Sequence, residues 1–220
     1  MRRIIDSQQP SVALVIATFA SVPCVHLALE MWRRNCVHAP VLVHDDGSPC
    51  SDELHALARR YGAEFFSNRT RRRRTVGDLP AYLHGLEWAA TLQVDLLVKM
   101  SRRFIVLRNW VLELQALAWM TQYATYSQRC LHFDFGFRTE CVAFHLPSWH
   151  DGRAFGDLQE RVEANEPVFV EGRLHDLARR VHRSACDLNR QYEQVHPRSP
   201  EADAYGFARP NLFTARFRGS

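Results

Sequence analysis

The sequence predicts a single α/β domain with a doubly wound, mostly parallel mixed sheet and helices on both of its faces. The first hundred residues alternate apolar, β-branched runs with segments of helical periodicity, in the order βαβαβαβ, and this alternation is typical of parallel sheets. The chain has 220 residues, a length that allows one domain with a sizeable core but not two full domains.

The first two strands are predicted at short apolar runs that end in small polar residues. Val12 to Ala17 is continuously apolar, as expected of a strand covered on both faces, and Pro23 to Asn35 follows it with helical spacing. Val41 to Val43 is the second strand, and it stops at the turn-forming sequence HDDGSP. Ser51 is then predicted to cap a helix that ends at Gly62.

The remaining elements follow from the same patterns. A short strand at Ala63 to Phe66 precedes a run of arginines, a helix begins at Asp78 or Pro80, and VDLLVKM is a further buried strand. The second half is predicted to contain, in order, a helix at WVLELQALAWM, short strands within Tyr123 to Trp149, and surface helices at Leu158 to Ala164 and Glu171 to Glu193.

Composition and motifs exclude several classes of protein. Lys and Arg total 28 against 24 for Asp and Glu, so the net charge of +4 is too small to indicate a nucleic-acid partner. The six cysteines form no CxxC pair, and the apolar run Val12 to Phe19 is too short to span a bilayer, so we expect reduced thiols and a cytoplasmic location. The absence of GxGxxG, P-loop, GxSxG and HExxH motifs argues against dinucleotide dehydrogenases, P-loop NTPases, elbow-type serine hydrolases and common zinc enzymes.

A ligand site is predicted at the carboxyl ends of the strands, where open α/β sheets bind their ligands. Thr18, the aspartates Asp45 and Asp46, and Ser101 follow three of these strands. Either aspartate is suited to accept a hydrogen bond from a ribose hydroxyl or a pyrimidine ring nitrogen, and Gly47 lets the backbone turn close to a ligand. The alternative is an Asx-turn in which Asp46 is only a local cap.

Four features in this order resemble the nucleotide-binding half of GT-A glycosyltransferases, especially the large inverting family. They are VALVIATF, VLVHDDGS, the pair Gly77 and Asp78 at the start of a helix, and DLLVKM. The resemblance covers about residues 11 to 110, which it implies are a nucleotide-sugar-binding half. Residues 111–196 are then the acceptor-side half of the same domain, between a lead at 1–10 and a tail at 197–220.

The resemblance implies transfer of a sugar from a UDP- or GDP-sugar to a hydroxyl acceptor. The residues that it implies around the donor are Thr18, Asp46 with Asp45 as the alternative, and Asp78, and Ser101 joins this site as the polar end of its strand. An inverting transfer also needs a general base, and Glu140 is chosen over Asp134 and Asp151 because it lies beside Arg138 in the acceptor-side segment. His132, His145 and His150 are interpreted as acceptor contacts or as core residues. Trp149 and Trp110 are suited to stack on a sugar face, with core packing favoured for Trp110.

The sequence departs from that family at its DXD motif, two acidic residues that bind Mg²⁺ or Mn²⁺ on the donor diphosphate. Here the strand runs into Ser101, Arg102 and Arg103, which offer no carboxylate to a hard cation. We therefore do not expect dependence on a divalent metal, because a fixed guanidinium also neutralises a diphosphate. Arg102 and Arg103 are the predicted electrophilic groups, and the alternatives are an exposed basic turn or a degenerate site that binds without catalysis.

The segment Arg69 to Arg74 contains five arginines, which repel one another unless water or an anion neutralises them. A solvated loop is the simplest interpretation. The alternatives are a loop that closes over the donor phosphates, docking onto nucleic acid, and peripheral contact with an anionic membrane surface.

Three functional hypotheses remain. The first is a glycosyltransferase-like enzyme that transfers a sugar to a hydroxyl without a DXD-bound metal. The second is a non-catalytic GT-A-like binding or scaffold domain that kept the sheet and lost the catalytic carboxylates. A nucleotidyltransferase is disfavoured, because ATFASVP and not a Gly-rich basic loop spans the end of the first strand.

Overall fold

A computed structural model describes most of the first two thirds of the chain. The described residues are 10–35, 39–71, 78–102, 104, 106, 111–121, 125–129, 137–150, 153–164 and 186–187. The strands are β1 Val12–Thr18, β2 Val41–Asp45, β3 Glu64–Ser67, β4 Leu96–Ser101, β5 Thr125–Arg129, β6 Phe137–His145 and β7 Cys186–Asp187. The helices are α1 Val22–Asn35, α2 Ser51–Arg60, α3 Asp78–Thr91, α4 Val111–Thr121, α5 Leu146–His150 and α6 Arg153–Ala164.

These strands form one sheet in the order β3-β2-β1-β4-β6-β5-β7. β1 pairs in parallel with β2 and β4, and the pairs β2 with β3 and β5 with β7 are parallel as well. Of the described strands, only β6 runs against its neighbours, β4 and β5. This confirms the mostly parallel mixed sheet that the alternation of elements predicts.

The two faces of the sheet each carry a layer of helices, as predicted. Alternate residues of a strand point to opposite faces, and in β1 the side chains of Leu14 and Ile16 pack with α1, α2 and α4. Ala13 and Val15 pack on the other face with α3, α5 and α6. The sheet is therefore covered on both sides, which explains the continuous apolar runs of β1, β2 and β4.

Most predicted elements are observed with small shifts at their ends, and two predictions are wrong. The N-cap of α2 is Cys50 and makes no side-chain capping bond, whereas Ser51 is already helical. Cys186–Asp187 pairs in parallel with β5, so the surface helix predicted across Glu171 to Glu193 does not hold at that position. None of the helices in the described ranges is both long enough and apolar enough to cross a bilayer.

Helix α3 packs against the centre of the sheet through Gly85. A Cβ atom placed on Gly85 would lie 2.9 Å from Val15 Cγ1 and 3.2 Å from Leu97 Cδ2. Because both of these side chains are fully buried and belong to adjacent strands, a larger residue at this position would push the helix outward. Gly85 thus allows α3 to pack directly against β1 and β4.

Candidate functional site at the carboxyl edge of the sheet

Four parallel strands end along one edge of the sheet. β1 ends at Thr18, β2 at Asp45, β3 at Ser67 and β4 at Ser101. Thr18 pairs in register with Asp45, which pairs with Ser67 on its other side, and Ser101 pairs with Ala17. The structure therefore brings together the strand ends where the sequence predicts a ligand site.

The carboxylate of Asp45 organises the turn after β2. Asp45 has no exposed surface, and its oxygens accept hydrogen bonds from the backbone N–H of Ser48 at 3.0 and 3.2 Å. They also accept from the hydroxyl of Ser48, and from the hydroxyl of Ser67 at 2.9 Å. The turn and the end of β3 thus use this carboxylate, so of the two aspartates Asp46 is the better candidate for a ligand contact.

Asp46 joins three parts of the edge. Its backbone N–H donates to the carbonyl of Thr18 at 3.0 Å, and its carboxylate accepts from the side-chain amide of Asn68 at 2.8 Å. Only 6% of the residue is exposed. Asn68 in turn donates its backbone N–H to the carbonyl of Asp45 at 2.9 Å, so the segment after β3 is bound to the turn by both its backbone and its side chain.

Gly47 allows that segment to lie directly against the turn. It has a φ of +70°, and a Cβ atom placed on it would lie 2.7 Å from the backbone nitrogen of Arg71 and 2.8 Å from the carbonyl carbon of Thr70. The guanidinium of Arg71 lies 3.8 Å from the centroid of the Phe19 ring in the β1–α1 loop. The start of the arginine run is therefore packed near the strand ends, while positions 72–77, with Gly77, lie outside the described residues.

The side chain of Thr18 is a second feature of this edge. It is 5% exposed, and its hydroxyl oxygen makes no hydrogen bond to any residue that the structure describes. A buried hydroxyl without a partner costs folding free energy, so each such group needs an explanation. Its neighbours across the β1–β2 ladder and in the turn are Asp45 and Asp46.

The residues predicted to bind the donor lie on opposite faces of the sheet. By the alternation along β1 and β2, Thr18 and Asp45 lie on the face of the sheet that α1 and α2 cover. Ser101 lies on the α3 side, as does the fully buried Lys99 two residues earlier, whose Nζ lies 2.9 Å from Asp78 Oδ2. Lys99 was not among the predicted site residues, although a lysine within an otherwise apolar strand run is a signal that sequence reasoning can use.

The predicted catalytic residues are only partly described. The backbone N–H of Arg102 donates to the carbonyl of Ala17 at 3.0 Å, which places Arg102 at the ends of β1 and β4. Arg103 lies outside the described residues. Glu140 belongs to β6, and because Cys141 pairs with Met100, the backbone of Glu140 runs beside the carboxyl end of β4.

Two of the suggested acceptor contacts have other roles. His145 pairs with Leu96, the first residue of β4, so it lies at the opposite end of the strand from Ser101. Trp149 has no exposed surface, and its Nε1–H donates to the hydroxyl of Thr125 at 3.0 Å. Both suggestions are therefore wrong, whereas the side chains of the other candidates lie outside the described residues: Trp110, His132, Asp134, His150 and Asp151.

The described end of β4 does not fit a divalent cation. Mg²⁺ and Mn²⁺ bind carboxylate and other oxygen ligands, but Ser101 and Arg102 supply one neutral hydroxyl and one cation. Asp45 is bound within its turn, and Asp78 is paired with Lys99. Within the described ranges no group of three or more His, Cys, Asp or Glu side chains is arranged to hold a metal ion.

A pair of histidines lies under the α3 side of the same edge. His44, which precedes Asp45 and is 1% exposed, has its Nε2 2.8 Å from His84 Nδ1 of α3. Both rings contact Phe66, with centroids 5.2 and 4.2 Å from it. Burial, reinforced by the charge of His84, lowers the pKa of His44 to about 3, so His44 is neutral at physiological pH.

Two solved structures share the fold of this chain. The mannosyltransferase PcManGT from Pyrobaculum calidifontis, in complex with GDP-Man and Mn²⁺, aligns with a TM-score of 0.56 at 16% identity, over 88% of this chain and 59% of that chain. The glycosyltransferase GlyE of Streptococcus pneumoniae TIGR4 aligns with a TM-score of 0.57 at 13% identity, over 93% of this chain and 52% of that chain. No protein-family profile and no curated protein matches the sequence.

The chain therefore has a GT-A-like glycosyltransferase fold, which confirms the resemblance seen in its sequence motifs. It spans between half and three fifths of the length of these two structures. At identities of 13 to 16% the likeness establishes the fold alone, since one fold carries many functions.

Replacing Gly47 by alanine tests how closely the turn is packed. We expect Gly47→Ala to lower the free energy of unfolding by about 2–4 kcal/mol, because it adds a steric clash to the cost of a positive φ. Gly62→Ala is the matched control, since Gly62 also has a positive φ, +62°, but nothing lies within 4 Å of the position that its Cβ atom would take. The control should cost only about 1 kcal/mol. Equal losses in urea denaturation would contradict the close approach.

The neutral His44 predicts a stability that falls in mild acid. The unfolded chain protonates this histidine near pH 6.5, whereas the folded protein resists protonation down to about pH 3. The stabilisation present above pH 6.5 is therefore lost as the pH falls, by about 2 kcal/mol between pH 7 and pH 5. Urea titrations of wild type and His44→Gln at both pH values should show a smaller loss for the variant, and parallel losses would contradict this origin.

Proposed function

We propose that the chain binds a nucleoside-diphosphate sugar at the carboxyl edge of its parallel strands and transfers the sugar to a hydroxyl acceptor. The observation that carries the proposal is the buried Thr18 hydroxyl, which lacks a partner among the described residues. It lies beside a turn that is rigidly hydrogen-bonded, in a GT-A-like fold. A ribose or base of the donor would supply the missing hydrogen bond.

The aspartates near this hydroxyl suit the nucleoside and not the diphosphate. A carboxylate accepts hydrogen bonds from ribose hydroxyls and from base N–H groups, whereas it repels phosphate oxygens. Asp46 lies next to Thr18, and Asp78 opens α3 on the other side of the edge with 38% of its side chain exposed. These two carboxylates and Thr18 form the proposed nucleoside site.

The diphosphate is assigned to the basic end of β4. Arg102 and Arg103 follow the strand directly, and Ser101 adds a hydroxyl donor. A guanidinium donates two parallel hydrogen bonds to phosphate and offsets the charge that develops as the nucleoside diphosphate leaves. In this proposal the arginines act where a divalent cation does not fit.

The transfer itself needs one proton acceptor. The acceptor hydroxyl forms a bond to the anomeric carbon of the sugar, the bond from that carbon to the diphosphate breaks, and the hydroxyl proton passes to a carboxylate. Glu140 is the proposed base, because its backbone runs beside the end of β4, next to the proposed diphosphate site.

A specific observation also favours the second candidate function, a GT-A-like domain that binds without catalysis. The three aspartates described at the edge are already engaged, Asp45 within its turn, Asp46 with Asn68 and Asp78 with Lys99. Such a domain would bind the nucleotide and release no sugar product. Incubation with GDP-mannose or UDP-glucose and simple hydroxyl acceptors, followed by mass spectrometry, separates the two functions.

Removing the arginines tests the diphosphate site. We expect the double variant Arg102→Ala, Arg103→Ala to bind the preferred nucleotide, GDP or UDP, about 100-fold more weakly, because two charge-assisted contacts are lost. EDTA should leave wild-type binding unchanged in isothermal titration calorimetry. The control, Arg59→Ala with Arg60→Ala, removes the same charge from the exposed end of α2. Undiminished affinity in the first variant, or loss of wild-type binding in EDTA, would overturn the assignment.

Removing the Thr18 hydroxyl separates a ligand contact from a structural role. Thr18→Val keeps the shape of the side chain and deletes an oxygen that has no described partner. The melting temperature of the free protein should therefore stay the same or rise, while the affinity for GDP or UDP falls about tenfold. A variant that is less stable but binds with wild-type affinity would show that the hydroxyl serves the fold.

A further inference from the structure

Lys99 is an exceptional residue in this chain. It is the single lysine in the sequence, whose other basic residues among the total of 28 Lys and Arg are all arginine. It lies in β4 at the centre of the sheet, between β1 and β6, and none of its surface is exposed. Surface solubility and charge patterning therefore do not account for a lysine at this position.

The ammonium group of Lys99 joins the sheet to the first turn of α3. Its Nζ lies 2.9 Å from Asp78 Oδ2 and 4.6 Å from the centroid of the Tyr82 ring. Asp78 and Tyr82 are four residues apart in the helix and so lie on the same side of it. A carboxylate and an aromatic ring thus hold the cation on two sides, which favours one geometry for Asp78.

Stability alone does not explain this arrangement. A buried ion pair is often no more stabilising than apolar side chains of the same volume, because both charges lose hydration. The pair is also asymmetric, since Lys99 is fully buried while 38% of the Asp78 side chain remains exposed. The exposed partner is the first residue of α3, and Lys99 lies two residues before β4 ends at Ser101.

We propose that Lys99 is a positioning residue for donor binding, an inference that rests on the function proposed above. Its buried ammonium holds the carboxylate of Asp78 in a fixed orientation at the start of α3. The exposed part of that carboxylate then accepts a hydrogen bond from the ribose or base of the donor. Because a carboxylate repels phosphate, the effect of Lys99 is confined to the nucleoside part of the ligand.

The choice of lysine agrees with this role. Lysine carries a compact charge on an unbranched chain, whereas arginine has a larger planar fork suited to two acceptors at once. Among the described contacts of this pair, the ammonium bonds to one carboxylate oxygen of Asp78, Oδ2. Asp78 therefore keeps acceptor capacity for a ligand after it has paired with Lys99.

The experiment compares a nucleotide with a diphosphate that lacks the nucleoside. Wild type, Lys99→Met, Asp78→Asn and the double variant are titrated with GDP, UDP and inorganic pyrophosphate. We expect Lys99→Met to weaken the binding of the preferred nucleotide about tenfold, as expected for the loss of one good hydrogen bond, and to leave pyrophosphate binding unchanged. The double variant should bind no more weakly than Asp78→Asn, because Lys99 acts through Asp78.

Controls make the outcomes distinct. Arg34→Met removes the basic partner of the exposed pair Arg34 and Glu30 in α1 and should bind both probes normally. Lys99→Gln keeps an N–H donor and carries the same test if the methionine variant does not fold, with a smaller loss expected. Wild-type affinity in both Lys99 variants, an equal loss for pyrophosphate, or losses that multiply in the double variant would overturn the positioning role alone. Failure of the wild type to bind GDP or UDP would overturn the proposed function as well.

Discussion

The carboxylate of Asp45 is the contact on which the geometry of the site depends. It lies at the end of β2 without any exposed surface and accepts hydrogen bonds from Ser48 and Ser67. The hydroxyl of Ser48 also accepts from the backbone N–H of Ala20 at 2.6 Å, which extends the same network to the loop after β1. A buried carboxylate has a high desolvation cost, so its donors must stay in place. Three strand ends are thereby held in one arrangement.

Because the Asp45 carboxylate is bound within the turn, the side chains around the turn are the ones that can contact a ligand. Asp46 and the buried hydroxyl of Thr18 lie on one side, and Asp78 lies on the other with its ammonium partner. The two sides belong to opposite faces of the sheet, and they can reach one ligand only beyond the strand ends. Open α/β sheets bind their ligands in such a crevice, and here Asp46 and Asp78 are acidic while Arg102 at the end of β4 is basic.

In the proposed function, the basic end of β4 takes the place of a bound metal. A divalent cation and a pair of arginines solve the same electrostatic problem, the charge of a leaving diphosphate, by different means. A metal bridges phosphate oxygens to carboxylates, while arginines bind the phosphates directly and need no acidic ligands. One fold can carry different chemistries, because the strand-end loops vary while the sheet stays the same.

The sequence by itself determined the alternation of elements, the polar strand ends and the tight turn at Gly47. These features depend on apolar runs, periodicity and turn residues, which act over a few neighbouring positions. Only the tertiary structure decided that Asp45 serves the turn, that Lys99 holds Asp78, and that His145 lies at the far end of β4. Each of those facts rests on strand register or on helix-to-sheet packing between distant segments, and a one-residue change of register would move every such side chain to the other face.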